Sequence, residues 1–262
     1  KLCRVMKKFE KRVIPVLTIA GDKLVKTIKF RKPNYIGDPV NAVKIFNEKM
    51  VDEIILLDIT ASQEKRVPNY AKIEEICSEA FMPFAYGGGI QSLQQVDLLF
   101  QAGIEKVVLN SILNSNLNLV KEIGEKYGAQ SVVASIDIKK NVFGKNYAYS
   151  HSGMRKIKEP VEVYFNKILN AGVGEIMLNS IDRDGTFQGY DLALIQKYST
   201  LSKVPLIACG GAMGVNSFTL AIQNGASAVA AGSLFVYRGE QKGIMINYPS
   251  QEELVEKVFK KL

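Results

Sequence analysis

Three aspartates stand just after apolar runs that read as buried strands, at Asp58, Asp137 and Asp182, and a fourth, Asp184, follows two residues later. A carboxylate at such a strand end can take and return a proton near neutral pH. Asp137 closes the run Ser131–Ile136, but the equivalent position after Val13–Leu17 is Thr18. A threonine hydroxyl donates and accepts hydrogen bonds without titrating, so the chain reads as a paired-acid arrangement with one acid absent. Asp137, Thr18 and Asp184 are the candidate catalytic residues. The polar stretch Asp182-Arg183-Asp184-Gly185-Thr186 directly after a buried strand favours function for Asp184. Asp58 and Asp182 suit caps for the helices that follow their strands.

Glycine pairs supply the second kind of chemistry. Gly87-Gly88-Gly89 and Gly210-Gly211 each follow an apolar run and precede a helical segment. Backbone N–H groups there can approach an oxyanion with no Cβ in the way. Asn110-Ser111 and Gly232-Ser233 end the neighbouring runs. Gly88, Gly89, Asn110 and Ser111 are thus predicted to hold one phosphate, and Gly210, Gly211, Gly232 and Ser233, with Gly185, another. An elongated substrate with a phosphate at each end is implied. Lys26, Asp58 and Asn179 are candidate substrate contacts, although a lysine in such a loop is as readily a solvated side chain.

The two loop pairs are copies. Laid on itself with an offset of 122 residues, the separation of Pro83 and Pro205, the chain matches Glu53-Ile54-Ile55 to Glu175-Ile176-Met177 and Gly103 to Gly225. Such fixed-period similarity marks repeated supersecondary units sharing one core. Eight short apolar runs read as strands: Val13–Leu17, Glu53–Leu57, Phe84–Tyr86, Lys106–Leu109, Ser131–Ile136, Glu175–Leu178, Leu206–Ala208 and Ala228–Ala231. Between them, Pro39–Lys49, Ile73–Ala80, Leu93–Ala102, Leu117–Tyr127, Pro160–Asn170, Leu192–Leu201 and Val215–Asn224 have helical period. The alternation predicts an α/β protein, one (β/α)₈ barrel over residues 1–262 built from two similar halves, with a basic extension over residues 1–11. An open doubly wound sheet is the alternative. The long connections Thr18–Gly37 and Lys139–Ser152 are predicted to form small hairpins over the C-terminal mouth.

Composition narrows the classes. The formal charge of +8 fits a basic surface or anionic substrates, and no basic-aromatic motif points to nucleic acid. No apolar run approaches a membrane span and no secretory signal opens the chain, so a cytoplasmic protein is expected. Three widely spaced cysteines and one histidine, His151, predict neither a disulfide framework nor a metal site, and no cofactor motif is present. At the opposite end of the predicted barrel, Arg12, Glu53, Lys106 and Glu175 begin four strands. Charges there usually form a salt-bridged cap, yet alternating signs also make a ring that could open.

These residues resemble a known family, the cyclase subunit of imidazole glycerol phosphate synthase, HisF. The resemblance covers about residues 11–240, through Val13-Ile14-Pro15, Gly37-Asp38-Pro39, Leu57-Asp58-Ile59-Thr60-Ala61-Ser62, Gly87-Gly88-Gly89-Ile90 and Ser180 to Tyr190. It implies a barrel that takes ammonia from a glutaminase (HisH-like) partner at its N-terminal face and closes an imidazole ring at its C-terminal face. The family's salt-bridge gate corresponds to Arg12, Glu53, Lys106 and Glu175, and its two essential aspartates to Thr18 and Asp137. Loss of one acid–base group predicts weak ring closure.

A closer likeness is to a paralogous branch, the HisF-like (WbuZ-type) proteins of acetamidino-sugar biosynthesis in bacterial surface polysaccharides. It rests on Lys26-Thr27-Ile28-Lys29-Phe30, residues 41–49, Phe143-Gly144-Lys145, residues 231–237 and Ile246-Asn247-Tyr248-Pro249. That branch also lacks the first aspartate and implies a glutaminase partner together with a separate sugar amidotransferase. Three functions follow as alternatives: an ammonia conduit for sugar modification, a histidine-pathway cyclase relying on Asp137 with or without Asp184, and a non-catalytic scaffold that activates the glutaminase.

Overall fold

The computed structural model describes residues 11–239 and 241–262, so the expected extension, Cys3 included, lies outside the described residues except for Lys11. In chain order the strands are β1 (Arg12–Ala20), β2 (Lys23–Ile28), β3 (Arg31–Gly37), β4 (Ile54–Asp58), β5 (Phe84–Gly87), β6 (Lys106–Leu109) and β7 (Val132–Lys140). They continue with β8 (Asn146–Ser150), β9 (Arg155–Lys156), β10 (Glu175–Ser180), β11 (Leu206–Cys209) and β12 (Ala228–Ala231). The parallel strands β1-β4-β5-β6-β7-β10-β11-β12 pair in that order, and β12 returns to β1. The result is a closed eight-stranded parallel barrel with alternating helices, the (β/α)₈ fold.

Strand pleating divides the core into two. Val13, Leu17, Ile54, Leu56, Phe84 and Tyr86 face the helices in the larger cluster. Ile14, Val16, Ile55, Val108, Val133, Met177 and Ile207 point along the barrel axis in the smaller one. Alternate residues of a strand take opposite faces, and both faces here are covered, which explains the near-continuous apolar runs.

Helix starts are set by local caps. Asp38 accepts from Asn41 N, Ser92 and Gln95 form a reciprocal capping box, and Asp191 accepts from Leu194 N. Six of the seven expected helices are met to within a residue or so at either end. The remaining one runs Tyr70–Cys77 rather than Ile73–Ala80, because the Asn69 side chain accepts from Lys72 N and starts it a turn earlier.

Both expected hairpins exist, as extensions of barrel strands rather than separate excursions. β1 runs on to Ala20 and pairs antiparallel with β2, which pairs with β3. β7 runs on to Lys140 and pairs antiparallel with β8, which pairs with β9.

None of the seven expected helices covers the segment after β12, which closes the molecule in another way, with Leu254, Val258 and Phe259 buried at helical spacing. A one-turn helix, Ser233–Val236, is followed by the short pair β13 (Tyr237–Arg238) and β14 (Gly243–Ile244) and by the helix Gln251–Lys257. Phe235 is 1% exposed. Its ring meets those of Phe46, Phe218 and Tyr248 at centroid distances of 6.5, 6.1 and 5.1 Å. The Tyr248 hydroxyl donates to the carbonyl of Val13 at 2.8 Å, tying the last segment to the first barrel strand. Phe235→Ala should therefore lower the unfolding free energy by about 3–5 kcal/mol, as expected when a buried aromatic leaves a cavity, measured by urea denaturation.

Candidate functional site

The C-terminal ends of the barrel strands enclose a cavity of about 340 Å³. Thr18, Lys26, Asp58, Asn110, Asp137, Asn179, Asp184 and Cys209 line it, together with Gly88, Gly89, Ser111, Gly185, Gly210, Gly211, Gly232 and Ser233. Every catalytic, phosphate and substrate candidate thus meets in one space. Phe30, Pro33, Met154 and Phe187 supply apolar surface from the mouth loops.

Asp137 is 6% exposed, on the inward face of β7. Asn110 Nδ2 donates to its Oδ2 at 3.1 Å and Asn179 Nδ2 to its Oδ1 at 3.4 Å. Burial pushes its carboxyl up from 3.8 to about 7, with repulsion from Asp184 adding and hydrogen bonds from Asn179 and Ser135 opposing. A carboxyl titrating there is poised to give and take a proton at neutral pH. Asn110 therefore turns its side chain to the carboxylate, leaving its backbone and Ser111 to the predicted phosphate loop.

Thr18 offers no substitute. Its hydroxyl donates to the carbonyl of Val25 across the β1–β2 ladder, so its proton is committed to the hairpin backbone.

Lys26 differs from the solvated alternative. It is 6% exposed, and its amine donates to the carbonyl of Val16 at 2.7 Å. The amine lies over Gly232, where a Cβ would stand 2.1 Å from Nζ. Burial pushes the amine's pKa down while Asp184 opposes that shift. Asp184 is held from the hairpin side, with the Thr27 hydroxyl donating to its Oδ2 at 3.4 Å; burial raises its carboxyl, opposed by Lys26. One cation and one anion therefore share the side of the mouth that holds the second glycine cradle.

Asp58 and Asp182 have structural bonds. Asp58 Oδ1 accepts from Thr60 N and Ala61 N at 3.0 Å and from the Thr60 hydroxyl at 3.1 Å, capping the one-turn helix Ala61–Glu64. Arg66 Nη1 reaches Asp58 Oδ2 at 3.2 Å. Asp182 accepts from Lys140 N at 2.8 Å, which pins the β7 extension.

One glycine of each cradle, Gly88 and Gly210, is demanded by the backbone itself. Gly88 and Gly210 have φ of +132° and +88°. A Cβ at either would stand 2.6–2.7 Å from a carbonyl oxygen of the preceding inner strand, that of Asp58 or of Ser180. Both loops line the cavity with no Cβ in the way of an approaching group. Cys209, noted in the sequence only for redox reasons, belongs to the site as well. It follows Ile207 on the inward alternation of β11, and burial pushes its thiol up to about 12, so it stands as a neutral SH.

At the other end of the barrel the four predicted charges form a closed ring. Arg12 Nη1 lies 2.5 Å from Glu53 Oε2 and Arg12 Nη2 lies 3.0 Å from Glu175 Oε2. Lys106 Nζ completes it, 3.0 Å from Glu53 Oε1 and 3.1 Å from Glu175 Oε1. Glu53 stands one residue ahead of β4 rather than at its first position. Burial opposes the charge on Arg12, but both glutamates outweigh it and raise its pKa. Asp52, unremarked in the sequence, accepts from Val13 N at 3.0 Å beside the ring, and burial raises its carboxyl.

Among the described residues no cluster of three or more His, Cys, Asp or Glu side chains is placed to hold a metal ion, and no helix is long and apolar enough to cross a membrane.

A closed (β/α)₈ barrel, with a buried carboxyl between two glycine-lined cradles at one end and a ring of paired charges at the other, defines the class. Residues 12–242 match the family model described as histidine biosynthesis protein, and the chain belongs to that family. A Pseudomonas aeruginosa protein provisionally named imidazole glycerol phosphate synthase subunit hisF2 is 46% identical over 245 residues, 93% of this chain and 98% of its own length. A Vibrio vulnificus protein provisionally named as subunit hisF3 is 44% identical over 252 residues, 95% of this chain and 97% of its own. The imidazole glycerol phosphate synthase subunit HisF of Helicobacter hepaticus is 38% identical over 228 residues, 87% of this chain and 90% of its own.

The raised carboxyl of Asp137 has a consequence for stability. Its folded pKa of about 7 exceeds the ordinary 3.8, so between these values the folded chain binds more protons than the unfolded one. Stability must fall as pH rises through that window. Asp137→Asn should remove this dependence, raising the melting temperature at pH 8 relative to the unaltered protein and converging with it near pH 4, in thermal unfolding followed across pH.

Proposed function

We propose that this chain is an ammonia-conducting subunit. It receives ammonia from a glutaminase docked over the Arg12–Glu53–Lys106–Glu175 ring and releases it at Asp137. The ammonia is destined for a separate amidotransferase that turns an acetamido group of a bacterial surface sugar into an acetamidino group. The observation that carries the reading is Thr18. The position that would hold the second acid–base group bears a hydroxyl bonded to the hairpin backbone, while the charge ring at the opposite end is complete.

The barrel suits neutral ammonia. Between ring and mouth lie Ile14, Val16, Ile55, Val108, Val133, Met177 and Ile207. Ammonium would shed its hydration there without a partner and be rejected, whereas uncharged ammonia pays far less. Entry requires one side of the ring to open, and a pair shared among four charges can be broken and remade without leaving any charge wholly unpartnered. Asp137 then stands where the nitrogen emerges, with a carboxyl able to exchange a proton. The two glycine cradles serve a phosphorylated small molecule, with Gly88, Gly89, Asn110 and Ser111 at one phosphate and Gly185, Gly210, Gly211, Gly232 and Ser233 at the other.

The same carboxyl favours a second reading, a histidine-pathway cyclase in which Asp137 works without a paired aspartate. Relatives named for the same synthase subunit stand on both sides, at 46% and 44% identity under provisional names and at 38% for the Helicobacter subunit, so the choice rests on Thr18. The two readings part in one assay. Given the histidine-pathway ribonucleotide and saturating ammonium salt, the unaltered protein should close the ring far more slowly than about 1 per second, an ordinary enzyme rate. Thr18→Asp should raise that rate about a hundredfold or more, the usual weight of one acid–base group. Ordinary turnover by the unaltered protein would establish the cyclase instead.

A further inference from the structure

Beside the mouth lies a second cavity, of about 310 Å³, with Asn114, His151, Arg155, Lys156, Lys158 and Glu159 around a buried Ile157. It opens on the outer face of the β7–β8–β9 hairpin. Tyr149 is in register with Asp137, so the next residue, Ser150, and its own register partner Arg155 turn to the opposite face. The turn from β8 to β9 is the wall between the two spaces, with Ser152 and Met154 on the mouth side and His151 on this one. That wall is tied down at two points. His151 N donates to the Ser111 hydroxyl at 3.1 Å, and the Ser152 hydroxyl donates to the carbonyl of Ile59 at 2.6 Å.

The charges around this cavity do not balance. Lys156 holds its amine over the Tyr147 ring, 3.2 Å from the centroid, and Glu159 is neutralised by Lys167 of the following helix. Arg155 and Lys158 meet no carboxylate or carbonyl among the described residues, whereas nearby Lys140 and Lys167 each pair with an acid. Burial and the charge of Arg155 push the His151 ring below its ordinary 6.5, so it stands uncharged at neutral pH. Its Nδ1 lies 3.1 Å from the Ser150 hydroxyl, which leaves Nε2 as the ring's free nitrogen. Two unpaired cations and a repelled imidazole around one concave space are a standing excess of positive potential. An anion set among them relieves it.

We propose that this cavity is an anion site that takes a phosphate group between Arg155 and Lys158, with His151 and Asn114 as further hydrogen-bonding partners. The four residues come from different elements: Asn114 from the turn after β6, His151 from the β8–β9 turn, Arg155 from β9, and Lys158 from the link to the helix Val161–Asn170. Donors converging from several directions suit a tetrahedral group better than a planar carboxylate. The guanidinium fork matches two phosphate oxygens at once, and the lysine adds a point charge. The site lies off the barrel axis and is separate from both glycine cradles, so it does not depend on which reaction the mouth serves.

His151 is the one histidine of the chain, so its Cε1–H resonance reports on this cavity without further assignment. The test is an NMR titration of that resonance with pH, in sodium chloride and in inorganic phosphate at equal ionic strength. A bound anion favours the charged ring, so phosphate should raise the midpoint by about half a pH unit or more. At a fixed pH near the midpoint the response should saturate with phosphate concentration. The double substitution Arg155→Gln with Lys158→Gln should abolish it; both side chains are exposed, and the same spectra show whether the variant is folded. Methyl phosphate identifies the source, since an equal response means that a phosphate ester enters and a response to inorganic phosphate alone means that the free ion is held. No phosphate-dependent shift, or one that grows without saturating, overturns the site. A saturating shift that survives the double substitution overturns it too, because it would come from phosphate in the mouth acting through Ser111. A shift caused by a glutamate-rich peptide and not by phosphate would make the surface a docking patch for an acidic protein, which equally overturns it.

Discussion

The pleat of a closed parallel sheet governs this molecule. Once eight strands close, every second residue of each must point to the axis, and a strand carries an ordered column of inward side chains. β10 shows the outcome in three residues: Glu175 in the charge ring, Met177 in the apolar layer, Asn179 at the mouth. Val133, Ser135 and Asp137 form the matching column on β7, aligned with it residue by residue. A shift of one residue would turn these columns outward and put Leu178 and Ile136 in their place.

The columns separate two polar levels by an apolar one, and the energetics of each level differ. At the ring, each cation meets two carboxylates and each carboxylate two cations, so charge is balanced despite burial. At the mouth, balance is incomplete. Asp137 has amide donors but no cation, and Lys26 bonds a neutral carbonyl while Asp184 stands near. Desolvation without full compensation moves pKa values toward neutrality. Such imbalance costs stability, and in this fold it is concentrated at the mouth.

The duplication explains the shape of the site and also its asymmetry. Two copies of a strand-loop unit give two glycine cradles on opposite sides of the mouth, each forced into glycine by carbonyls packed against it. The copies diverge at Thr18 and Asp137. Both positions sit where a barrel strand runs on into a hairpin, opposite Val25 and Tyr149 respectively. One spends its polar group on the hairpin backbone, and the other keeps it for the cavity.

Fold class, strand order around the repeat, the ring residues and the glycine loops were legible from the chain itself, because periodicity and a fixed offset report directly on which residues share a face. Caps such as Asp38 and Ser92 were equally local. Other features depend on partners distant in sequence. Lys26 reads as a surface lysine until β2 folds back on β1 and lays its amine over Gly232. The Thr18 hydroxyl finds its acceptor only through the same hairpin. Phe235 and Tyr248 are placed by distant partners, the rings of Phe46 and Phe218 and the carbonyl of Val13. Asn179 was only a plausible contact; its amide nitrogen is committed to Asp137 once β7 and β10 pair. Sequence determines which residue types lie on which face, since that follows from local geometry. Burial, pairing and protonation are set by the tertiary structure, because each depends on which distant groups displace water.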